Sequence, residues 1–156
     1  MTTEKSHLVL NSRPQRHQDY ITTLNFREQF VTSLTQFCHL ALNEGQKLTP
    51  FRSPSLPYFS RLSVEQQNKI LDNFNEYFQI CLGTVGIHQT LKDHLAHFKL
   101  TLQKFNFWVD SSIWSELKDN NVIEIYTSDS TQVFRTFNFY QLVRFTLEEL
   151  FCRPWY

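Results

Sequence analysis

The chain has 156 residues, enough for one domain with a real apolar core and too few to call for two. Lys plus Arg and Asp plus Glu number 15 each, so no net field draws in nucleic acid or an anionic membrane surface. Fifteen Phe, six Tyr and three Trp supply large burial per side chain, whereas three Gly and no Gly-rich fingerprint argue against a phosphate-cradling loop.

Residues 1–20 are polar, contain Pro14 and show no apolar period; they read as a mobile arm. From Asn25 onward, Phe26, Phe30, Val31, Leu34, Phe37, Cys38 and Ala41 recur at helical spacing, with Asn25 and Glu28 as a candidate N-terminal cap and Gly45 as a stop. The stretch QKLTPFRSPSLPYFSRL carries prolines at 50, 54 and 57 and must run extended, pinned to the core by Phe51, Tyr58 and Phe59. Its Pro54-Ser55-Leu56-Pro57 has the form of a ligand for a proline-reading domain, but a connector is the preferred reading.

Ser63 to Gln66 fits a capping box, and Ile70, Leu71, Phe74, Phe78, Cys81 and Leu82 trace a second helix ending at Gly83. A third follows through Ile87, Leu91, Leu95, Phe98, Leu102 and Phe105, packed on the second through Phe74, Phe78, Leu91, Leu95 and Phe98. A short fourth helix starts near Asp110, Ser111 and Ser112 and carries Ile113, Trp114 and Leu117. VIEIYT then alternates, with Val122, Glu124 and Tyr126 on one side and Ile123, Ile125 and Thr127 on the other. SDST is a turn cluster and QVFRTF alternates again, giving an antiparallel hairpin. FYQLVRF and LEELF return to helical composition. The expected class is α+β, mainly helical: a bundle over 21–110, then a hairpin and two short helices over 111–156 packed on it.

Candidate chemistry is sparse. His94 shares the apolar face with Leu91, Leu95 and Phe98, His97 lies one turn on and His88 one step off the face, but no Cys or carboxylate completes a ligand spacing, so structural or exposed histidines are the preferred reading. Glu148 and Glu149 point about 100° apart on a helix and cannot serve one substrate atom. Asp110, Ser111 and Ser112 suit a helix cap better than a triad. Cys38, Cys81 and Cys152 are odd in number and form no CxxC pair, and they read as free thiols of a reducing, cytoplasmic compartment. No run of about eighteen apolar residues marks a membrane span, and no signal peptide is recognised.

The last part of the chain resembles the opening half of a PAS-type sensory domain. The likeness covers about 113–156: VIEIYTSDST stands for the first strand and turn, and Val133, Phe134, Phe139, Leu142, Phe145, Leu147, Glu148, Glu149, Leu150, Arg153, Pro154 and Trp155 match the following strand and two small helices. The resemblance implies a sensory module cut after its second small helix, and it places Glu148 and Glu149 at a solvent-facing helix start. PAS-type domains hold haem, flavin or other small ligands, but the Asn-Cys-Arg-Phe run of the flavin-adduct photoreceptors has no counterpart here, and no cofactor is assigned.

The expected function is that of a non-enzymatic sensory or interaction region of a cytoplasmic signalling protein. It would act on a protein partner or a second copy of itself, without nucleic acid or membrane insertion. Phe139, Leu142, Trp155 and Tyr156 are the expected interaction residues, and Phe107, Trp108 and Trp114 the expected lock between bundle and hairpin. A stand-alone helical adaptor, chaperone or inhibitor is the alternative.

Overall fold

The computed structural model describes residues 13–85, 93–118 and 120–153. Pro14 stands in the first turn of α1 (Arg13–Asn43), where its missing N–H and fixed φ are tolerated. The helix thus begins inside the expected mobile arm, whose residues 1–12 lie outside those described. Asn25 is not its cap; the Asn25 side chain accepts from Gln29 Nε2 at 2.9 Å within the helix. No Gly or Pro interrupts the sequence between Pro14 and Gly45, so a helix nucleated by the packed Phe26 to Ala41 face propagates back over polar residues. Gly45 ends it as expected. Its φ of 73° lets Gly45 N–H reach Leu42 O at 2.9 Å and Gln46 N–H reach Ala41 O at 2.8 Å.

The proline connector then crosses the molecule and contains a single 3-10 turn, Phe59–Arg61. Leu56 within it is fully buried at a φ of 48°, so Pro54 to Pro57 is not a polyproline II ligand. α2 (Val64–Val85) starts at the expected capping box: Gln66 N–H donates to Ser63 Oγ at 3.2 Å, and Ser63 N–H to Gln66 Oε1 at 3.0 Å. It continues through Gly83, which is open to solvent and does not stop it.

The central seam lies between α1 and α2. Phe37 touches the rings of Phe74, Tyr77 and Phe78 at centroid distances of 5.4 to 5.7 Å, and Phe30 adds Phe59 and Phe74 at 4.5 and 5.6 Å. Phe74 and Phe78 thus meet Phe37 of α1 ring to ring, and they share one core cluster with Phe98 of the third helix, with which the spacing pairs them. That helix, α3 (His94–Lys104), faces inward with His94, His97, Phe98, Thr101 and Leu102. Leu95 is only half-buried, and Leu91 lies outside the described residues.

α4 (Ile113–Glu116) leads into β1 (Glu124–Tyr126) and β2 (Gln132–Arg135), paired antiparallel with Ile125 opposite Phe134. α5 (Phe139–Leu142) and α6 (Leu147–Cys152) complete the order. The hairpin shares one core with the helices: Tyr77 meets Phe134 and Phe151, and Phe37 meets Phe137 and Tyr140. The class is α+β and mainly helical. Among the described residues, no helix is long and apolar enough to cross a membrane.

Candidate interaction surface

The end of α3 builds an open groove. Asn106 takes a φ of 53°, a conformation Asn tolerates better than most residues, and the chain reverses there. Phe107 N–H reaches back to Leu102 O at 2.8 Å and Asn106 N–H to Gln103 O at 3.2 Å, the paired bonds of a Schellman turn. Leaving the turn extended, the chain alternates: Phe107 and Val109 are half-buried, while Trp108 and Asp110 point out. Trp108 is 84% exposed, the most exposed of the large apolar side chains among the described residues.

Asp110 Oδ1 then accepts from Ser112 N–H at 2.8 Å, a local turn that aims α4 back across α3. The result is a groove of about 690 Å³ between α3 and α4, with Leu102, Phe107, Trp108, Val109 and Trp114 among its lining. Lys99 Nζ lies 5.1 Å from the Trp114 ring centroid and is its only charged lining group.

Of the three expected locking residues, two connect inward. Trp114 meets Phe98 at 5.4 Å, and Phe98 meets Phe134 of β2 at 6.0 Å, so α4, α3 and the hairpin are joined ring to ring. Phe107 stacks on Phe105 at 5.8 Å and packs against the core. Trp108 locks nothing; it is the free rim of the groove. Of the expected interaction residues, Leu142 is 72% exposed. Phe139 is half-buried against the Arg135 guanidinium, 3.9 Å from its ring centroid. Trp155 and Tyr156 lie outside the described residues.

The paired glutamates are not at a solvent-facing helix start: both are buried. Glu148 Oε1 accepts from Tyr58 N–H at 2.8 Å and Phe59 N–H at 3.3 Å, holding the start of the 3-10 turn. Glu149 closes a capping box with Thr146 and meets Arg52 at 3.2 Å. In return, Leu147 and Glu148 N–H donate to Thr49 and Pro50 O, both at 3.0 Å. The proline connector and α6 thus satisfy each other's backbone, and burial raises the Glu148 carboxyl above its ordinary range.

Arg135 is also buried, where strand alternation gave no hint. Glu124 pairs with its Nε, Tyr126 Oη accepts from Nη2 at 3.2 Å, and its backbone carbonyl accepts from Tyr77 Oη at 3.0 Å. His94 and His97 lie together on the buried face of α3, and burial with the neighbouring His94 depresses His97 to about 4. Neither belongs to a convergent set: among the described residues, no three of His, Cys, Asp and Glu gather as metal ligands. His88 lies outside them.

Burial lifts the Cys81 thiol to about 12, and Cys152 is raised for the same reason; with Cys38, all three cysteines are free. Compared with known proteins, the chain matches no family model, no curated protein and no solved structure.

Proposed function

We propose that this chain is a non-enzymatic interaction region of a cytoplasmic signalling protein, whose α3–α4 groove docks a protein partner or a second copy. The observation that carries the reading is Trp108: a large ring 84% exposed on the rim of an apolar groove, a residue type that anchors interfaces when buried. The groove has lining side chains suited to packing rather than to acid–base or nucleophilic steps. Three free thiols, those of Cys81 and Cys152 buried and that of Cys38 half-buried, support a reducing compartment.

The sensory part of the proposal rests on connectivity. The order strand, turn, strand, short helix, short helix is the order the PAS-type resemblance implies. The ring series Trp114, Phe98, Phe134 gives a packed route from the groove to the hairpin. A partner that reorients Trp114 would therefore favour one packing of the hairpin over another. Oxidative footprinting tests the docking claim. Trp108 should oxidise rapidly in the dilute purified chain and be protected severalfold in freshly lysed source cells; equal oxidation in both would refute it. Light scattering over a concentration series then separates a second copy from a different protein.

A further inference from the structure

A second recess lies on another face, where the loop after α1 meets the turn between α5 and α6. Lys47 and Thr49 form one wall, and Val143, Arg144 and Phe145 the other, around about 250 Å³. The walls are fixed to each other: Gln141 Nε2 donates to Gln46 Oε1 at 3.0 Å, and Leu147 N–H to Thr49 O at 3.0 Å.

Both charged lining groups are cations and no carboxylate lines the recess. Lys47 and Arg144 enter none of the ion pairs formed among the described residues. The two carboxylates closest in sequence on the α6 side have other partners: Glu148 holds Tyr58 and Phe59, and Glu149 holds Thr146 and Arg52. In the chain, Val143 and Arg144 are flanked by an exposed apolar strip, Leu142 at 72% and Phe145 at 37%.

We propose that this recess and strip form a second docking site, separate from the Trp108 groove, for an acidic and apolar protein segment. A carboxylate of the segment sits between Arg144 and Lys47, with the guanidinium able to donate two parallel hydrogen bonds to it. An apolar side chain of the segment covers Leu142 and Phe145. Charge complementarity selects this occupant over a basic one. A membrane surface fits less well, because adsorption to anionic lipid draws on clusters of about four to eight cations, and this face offers two in its recess.

Fluorescence anisotropy with dye-labelled synthetic peptides tests the site. One peptide alternates Glu with Leu and Phe, a second replaces Glu by Lys, and a third keeps Glu but replaces the apolar residues by Ser. The first should bind at least about tenfold tighter than either of the others, and more weakly as salt rises. Lys47→Glu with Arg144→Glu should cost about tenfold or more, and Lys47→Arg with Arg144→Lys should stay within about threefold of the parent.

Trp108→Ala should leave the affinity unchanged, which separates this site from the groove. The proposal is overturned by equal affinity for the acidic and basic peptides or by no binding up to about 1 mM. It is equally overturned if the only response of this face, lost in the charge-reversed variant, is sedimentation with phosphatidylserine vesicles or self-association.

Discussion

Glu148→Ala is the sharpest perturbation of the fold, because one carboxylate oxygen satisfies two backbone donors far away in sequence. Tyr58 N–H and Phe59 N–H approach it at 2.8 and 3.3 Å, and the Glu148 side chain is buried beside them. Alanine leaves both donors without a partner in a region sealed by Phe59, which is fully buried. An orphaned buried donor costs about 1–3 kcal/mol, and removing a buried carboxylate returns part of that, so the net loss should be about 2–4 kcal/mol. With a urea slope of about 2 kcal/mol/M, the middle of the range for a small domain, the unfolding midpoint should fall by roughly 1–2 M. Amide exchange at Tyr58 and Phe59 should accelerate in the same variant. Glu148→Gln is the control: its carbonyl oxygen can accept both bonds without a charge to bury, so most of the stability should remain. If the alanine variant unfolds within about 0.5 kcal/mol of the parent, the connector is not held by this carboxylate and the reasoning fails.

Phe37→Ala should cost about 3–5 kcal/mol in denaturant unfolding, since the ring packs on five others, three in α2 and two in the C-terminal segment; an unchanged midpoint would contradict the seam described. His97 should make the protein acid-sensitive. Its folded value of about 4 lies below the ordinary 6.5, so the unfolded chain binds the proton first and stability falls as pH drops through that window, by up to about 3 kcal/mol. His97→Gln should flatten that part of the pH profile, and an unaltered profile would remove His97 as the cause. Trp108→Ala should leave the thermal midpoint within about 2 °C of the parent, because the side chain is 84% exposed; a larger drop would mean that it packs after all.

Local signals were legible in the sequence, and long-range ones were not. Ser63 with Gln66, Gly45 and the alternation around Ile123 and Ile125 act within a few residues, and the structure keeps each role. The start of α1 was missed because polar residues at helical spacing carry no apolar period, although nothing in them breaks a helix. The spacing placed His94, Phe98 and Leu102 on the inward face of α3, as the structure has them, but a hydrophobic count favours Leu95 over His97 and Thr101, and it is these two that are buried while Leu95 is half-exposed.

Glu148 and Glu149 looked like surface residues because their partners, Tyr58, Phe59 and Arg52, lie in a connector far upstream. Arg135 is hidden by Glu124, Tyr126 and Phe139, an arrangement visible only once the hairpin is paired. The outward turn of Trp108 did have a signal. Asn106 is a residue suited to a helix-ending left-handed position, and Phe107, Trp108, Val109 then alternate as an extended strip.

Docking of a protein in the groove beneath Trp108 can be trapped by photo-crosslinking in the source cells. A benzoylphenylalanine probe replaces Trp108 in one sample and Gln36, on the exposed side of α1, in another. Position 108 should give a discrete adduct, absent from position 36 and suppressed when Trp114→Ala reshapes the groove. Identical adduct patterns from the two positions, or none from position 108, would contradict it.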